Sequence, residues 1–94
     1  MIRFDWDENK NKSNRKKHGV WFEEAQSVFD DLNGRIFLDV RISDYEDRFI
    51  LIGVNNFLKL LVVVHCQRES GTVIRLISAR KATRKEREFY EEGI

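Results

Sequence analysis

The sequence predicts one α+β domain over residues 1–94: a short N-terminal strand, two helices, a four-stranded antiparallel sheet and a C-terminal helix. Three observations predict it. Apolar runs at 35–41, 48–54, 58–66 and 72–79 are separated by short gaps rich in turn residues, the pattern of an antiparallel meander. Helix stop and start signals flank that meander, with Gly19 before it and Thr83 with Glu86 after it. The chain has 94 residues, enough for one small core.

Each element follows from local chemistry. Residues 2–6 alternate apolar and polar, as a short strand does. Asp5 or Asp7 can cap a helix running through Lys17, and Gly19 is its natural stop. Asn9, Asn11, Ser13 and Asn14 give that helix poor intrinsic propensity, so tertiary contact must hold it. A second helix covers 22–29, with Phe22, Ala25, Gln26, Val28 and Phe29 on its inner face, and Asp30, Asp31, Asn33 and Gly34 end it. Asn55-Asn56 and Glu69-Ser70-Gly71 turn the strands. The run Leu60 to Val64 lacks alternation, which predicts a central strand covered on both faces. Thr83 and Glu86 form a capping box for a last helix that ends near Glu92.

Composition excludes several classes. No apolar run approaches the roughly 20 residues needed to cross a bilayer, and the first residues contain no signal-peptide apolar segment. A lone Cys66 within an apolar strand suits a buried thiol in a reducing cytoplasm. Two histidines and no paired carboxylates at ligand spacing offer little to Zn or Mg, so neither metal nor cofactor is expected. The formal net charge of +1 hides segregation. Residues 10–18 carry five cations and no acid, 22–47 carry eight acids against two cations, and 75–90 carry six cations against two acids. Converging basic segments would make a polyanion site, and the acidic stretch between Asp39 and Asp47 can receive a basic protein partner.

The chemistry concentrates near the C-terminus. An apolar strand runs into a helix start through Arg75, Arg80, Lys81, Arg84, Lys85 and Arg87. Guanidinium groups beside a helix N-terminus suit a phosphate, because fixed donors and the helix dipole both favour an anion. Just upstream His65 ends the neighbouring strand, and an imidazole can move a proton near neutral pH. Cutting RNA needs a base for the 2′-hydroxyl, cations for the developing phosphorane charge and an acid for the leaving oxygen. His65, Arg80, Lys81 and Arg48 are the candidates for that work. Each has a plainer reading: a structural histidine, a solvated basic turn, and for Arg48 a cross-strand salt bridge. Lys17 and His18, which the helix dipole alone explains, join Arg75, Thr83, Arg84 and Tyr90 as candidate RNA contacts. Arg75 can equally be half-buried and paired, Thr83 a cap and Tyr90 a packing residue.

An ordered series of short motifs runs through the whole chain. It comprises Phe4-Asp-Trp-Asp7, Lys17-His-Gly-Val20, Phe22-Glu-Glu-Ala25, Val28-Phe29, Glu46-Asp-Arg48, Ile52-Gly53, Leu61-Val-Val-Val-His65 and Ile77-Ser-Ala-Arg-Lys-Ala-Thr83, with Glu86, Arg87 and Tyr90. In this the chain resembles the BrnT toxins. The resemblance implies a RelE-like ribonuclease toxin that lowers translation by cutting RNA. It also implies a ribbon-helix-helix antitoxin, BrnA, that neutralises the toxin in a 2:2 complex repressing its own promoter. Two positions depart from the pattern: Trp21 stands where Ser or Thr is frequent, removing a helix cap, and Cys66 where Thr is frequent. The basic segments alone also permit a non-enzymatic nucleic-acid- or protein-binding module. No helix-turn-helix or ribbon-helix-helix pattern supports a repressor acting alone.

Overall fold

A computed structural model describes residues 2–39 and 47–93. The expected strand end at Val40 and Arg41, and the acidic Asp44 and Glu46, lie outside the described residues. Strand β1 spans Arg3–Asp5, helix α1 Glu8–His18 and helix α2 Phe22–Ala25, which continues as a 3₁₀ turn over Gln26–Asp30. Strands β2 (Arg35–Asp39), β3 (Arg48–Val54), β4 (Leu60–Arg68) and β5 (Val73–Lys81) precede helix α3, Arg84–Glu92. The order in the sheet is β1-β5-β4-β3-β2. The four later strands form the expected antiparallel meander, but β1 joins them, pairing parallel to β5 with Phe4 opposite Ile74. The sheet therefore has five strands rather than four.

Helix α1 is held as its composition requires. Asp7 caps it by accepting from the Asn9 and Lys10 N–H groups, and Gly19 closes it at φ 75°. Its buried positions are Asn11 and Asn14, one turn apart. Asn11 Oδ1 accepts from Phe22 N at 2.7 Å, and its amide donates to Glu23 at 2.9 Å. Asn14 donates to the Val20 and Ala79 carbonyls, each at 2.8 Å, and accepts from Ala79 N at 3.1 Å. Its amide thus takes the place of a neighbouring strand where β1 has already ended. Helix α2 forms half of a capping box: Glu24 accepts from Trp21 N at 2.8 Å, while the indole, a donor only, returns nothing.

Two cores sandwich the sheet. On one face Val20, Phe22, Ala25 and Val28 pack on Leu51, Leu61, Val63, Ile74, Leu76 and Ala79. On the other, Tyr90 of α3 packs on Ile52, Leu60 and Val62. Strand β4 is buried on both sides, which explains its unbroken apolar run. Asp31 pins α3 to the sheet: its Oδ2 accepts from Tyr90 Oη at 2.6 Å and from Val54 N at 2.9 Å. Burial pushes the Asp31 carboxyl up, but these bonds and one from Asn33 N outweigh it and hold the group below its ordinary value.

Candidate nucleic-acid interface

One irregularity decides which side chains meet. Val64 stands opposite Ser78, but the next residue, His65, stands opposite Leu76, so Ile77 is an extra residue in β5. Strict alternation would send Arg75 and Arg80 to opposite faces, since an odd number of positions separates them. The bulge restores both to the face of Val62, Val64 and Cys66, the side on which α3 lies. Arg48 shares that face, because it alternates with Ile50 and Ile52, which stand opposite Val64 and Val62. Strand geometry separates the levels of Arg75 and Arg80 by roughly 13 Å along β4.

Each arginine has a carboxylate nearby. Arg75 donates to Asp5 at 2.7 Å, so it is half-buried and paired. Arg80 makes a fork-on-fork contact with Glu86, two bonds of 2.7 Å, and a third of 3.2 Å to the Lys81 carbonyl. Arg48 stands directly opposite the buried Asp39. The Arg80 guanidinium holds the Glu86 carboxyl down at about 2 against the opposing effect of burial, with help from Thr83. Glu86 also accepts from Thr83 N at 2.8 Å, while Thr83 Oγ1 accepts from Glu86 N at 3.2 Å. The expected capping box therefore forms, and it anchors Arg80 to the α3 N-terminus.

The remaining candidates lie elsewhere. Lys81 is exposed and stands opposite Leu61, on the sheet face that carries α1. Lys17 is exposed and His18 half-buried in the last turn of α1. Arg84 is exposed and 3.5 Å from Glu88. Tyr90 is buried, its ring in the α3 core and its hydroxyl engaged by Asp31, which with burial pushes the phenol up to about 12. That ring is therefore not presented for stacking on a base.

His65 is 1% exposed and lies in the core under α1 and α2, on the face opposite the three arginines. Phe29 meets its ring edge-on at 4.9 Å and Phe49 stacks on it at 5.8 Å. Among the described residues neither ring nitrogen has a hydrogen-bond partner. Burial lowers the imidazole to about 4, only weakly opposed by the Val63 backbone, so it is neutral at pH 7. The sequence had no means of showing this placement: His65 ends an apolar run, but which face it takes depends on pairing.

Two clefts border the arginine face. One of about 410 Å³ is lined by Arg3, Phe4, Asp5, Arg68, Glu69 and Val73. The other, of about 490 Å³, lies between β2 and α3 and includes Arg35, Phe37, Ile52, Lys85 and Phe89. Arg3 and Arg68, missed in the sequence, extend the cationic side: Arg68 follows Cys66 by one alternation and Arg3 pairs with Glu69 at 2.9 Å. Among the described residues no three of His, Cys, Asp and Glu gather where a metal ion would sit. No described helix is long and apolar enough to cross a membrane.

The crystal structure of the Brucella abortus ribonuclease toxin BrnT is similar in fold, with a TM-score of 0.67 and 24% sequence identity, covering 89% of this chain and all of that one. No match is found among curated proteins. Residues 6–86 match the family described as the ribonuclease toxin, BrnT, of type II toxin-antitoxin systems. That match spans most of the chain and includes every arginine of the sheet face except Arg3, and so the chain belongs to the BrnT family of ribonuclease toxins.

Proposed function

We propose that the chain is a metal-independent endoribonuclease, one toxin domain over 1–94 that acts in the cytoplasm and inhibits translation by cutting RNA. Family membership supports the reaction class. The observation that carries the location is the bulge-aligned face bearing Arg48, Arg75 and Arg80. A phosphate entering there replaces a carboxylate: Glu86 yields Arg80 to the substrate, much as one oxyanion exchanges for another on a guanidinium fork. Arg80 then offsets the charge of the phosphorane, while Arg48, level with Arg75, and Lys81, at the strand end on the α1 face, add to the field from farther away. The 2′-oxygen bonds to phosphorus as the bond to the 5′-oxygen breaks; one proton leaves the 2′-hydroxyl and one reaches the 5′-oxygen. For His65 to carry either proton, Phe29 and Phe49 must move aside. Lys17, His18, Arg75, Thr83 and Arg84 serve the flanking RNA, chiefly by phosphate attraction. Tyr90 has only an indirect part, positioning α3.

The family assignment to type II systems supports a protein antitoxin. The proposal includes a BrnA-like ribbon-helix-helix partner, a 2:2 complex from that partner's twofold symmetry, and promoter binding by the complex. A non-enzymatic binding module is the second reading, favoured by one observation: the buried, neutral His65 leaves the arginine face without an adjacent proton carrier.

Cleavage of single-stranded RNA in excess EDTA distinguishes the two. Wild type should cut, and Arg80→Ala and Arg48→Ala should each lose about 10²–10³-fold with the circular dichroism unchanged. Cutting that stops under chelation and returns with Mg rejects the metal-free mechanism, and RNA binding without cutting establishes the second reading.

A further inference from the structure

Strand β2 is the outermost strand of the sheet, and its outer edge has no partner among the described residues. Natural edge strands are usually blunted by charge, proline or a bulge. Here three consecutive apolar residues stand in the open: Ile36 is 54% exposed, Phe37 40% and Leu38 48%. They project to both faces, since Ile36 and Leu38 stand opposite Leu51 and Phe49 while Phe37 stands opposite Ile50. A binder lying on one face would cover only part of this; a strand added at the edge covers all of it.

We propose that this edge pairs with β2 of a second copy of the chain, antiparallel about a twofold axis at Phe37. The sequence Arg35-Ile-Phe-Leu-Asp39 is its own complement in that register. Phe37 meets Phe37, Ile36 meets Leu38, and Arg35 of each copy meets Asp39 of the other. Slipping by one residue sets Arg35 opposite Leu38, or Asp39 opposite Ile36, and loses the charge match at both ends. Both end residues are already placed. Arg35 lies 3.8 Å over the Phe89 ring and donates to the Phe89 carbonyl at 2.7 Å, and Asp39 stands beside Arg48. The apolar centre therefore drives association, and the charges select the register. Phe37 also packs edge-on against Phe89 at 6.1 Å, so the cleft between β2 and α3 closes around an aromatic cluster shared by the two copies. The twofold stands perpendicular to the sheet, which puts the arginine faces of both copies on one side. A single short strand and its flanking aromatics make a small interface, so the dimer should depend on concentration.

Sedimentation equilibrium of the full chain over a wide concentration range tests the pairing. Ile36→Lys and Leu38→Glu, both at exposed positions, should each weaken the dimer by roughly tenfold or more. The double variant should recover it, because the introduced lysine of each copy then faces the introduced glutamate of the other. Phe37→Cys should oxidise to a covalent dimer, while wild type, whose Cys66 is buried, should not. A chain that stays monomeric throughout, a double variant no better than the singles, or protection of the β2 amides only when a different protein is added would each overturn the proposal.

Discussion

An imidazole buried with no hydrogen-bond partner among the described residues ties the stability of this protein to pH. His65 titrates near 4 when folded, against an ordinary value near 6.5. The unfolded chain therefore binds the proton more readily, and acid favours unfolding. The contribution is fully present above about pH 6.5 and is lost as pH falls toward 4, roughly 3 kcal/mol in all. Chemical denaturation of His65→Phe should show a flatter stability between pH 7 and 5 than wild type. Equal slopes in the two proteins would mean that the ring is not buried in solution. The same variant separates packing from chemistry, since retained RNA cleavage would confine His65 to the core. Composition and motif singled out His65 as a candidate but not its burial. Arg75 was legible as a paired strand residue, whereas the partners of Arg80 and Tyr90, Glu86 and Asp31, were not, because those contacts arise only when α3 folds onto the sheet.

At the scale of elements, the meander and the last helix were readable because turn residues and a capping box are local signals. The path of α1 was not, since its inner face is made of asparagines and carries no hydrophobic period. Asn14→Ala should lower stability by about 2–3 kcal/mol, because the Ala79 and Val20 backbone groups lose their partner in a buried site. A thermal or denaturant midpoint unchanged by that substitution would show that water replaces the amide. The bulge at Ile77 was equally hidden, and with it the shared face of Arg75 and Arg80. Helix α3 gives a test with two signs. Glu86→Gln should reduce stability by about 1–2 kcal/mol while tightening RNA binding, because it removes the charge that competes with phosphate for Arg80. Weaker binding in that variant would make Arg80 a structural anchor instead. The Glu86 carboxylate, held near 2, contributes stability that is present above its ordinary value of about 4.5 and lost as pH falls toward 2, below most of the His65 window.

Across the protein, a net charge of +1 conceals a sheet face lined with arginines, and the family belongs to type II toxin-antitoxin systems, which pair a toxin with an antitoxin. Co-expression with a ribbon-helix-helix partner should restore growth and suppress RNase activity, and scattering should give the mass of a 2:2 assembly. A toxin that remains alone in the presence of that partner would remove the antitoxin from the proposal. The pairing of β1 with β5 reaches further. The Asp5–Arg75 bond joins residues 70 positions apart, and Asn14 bonds to Ala79 across 65. Both N-terminal elements are completed by the last strand, so closure needs a long loop to be drawn shut late in folding. During synthesis, β1 and α1 emerge first and wait for β5. A growing chain thus cannot finish its sheet, or align Arg75 with Arg80, until β5 has been translated. The order of the strands delays assembly of the arginine face until β5 has been made.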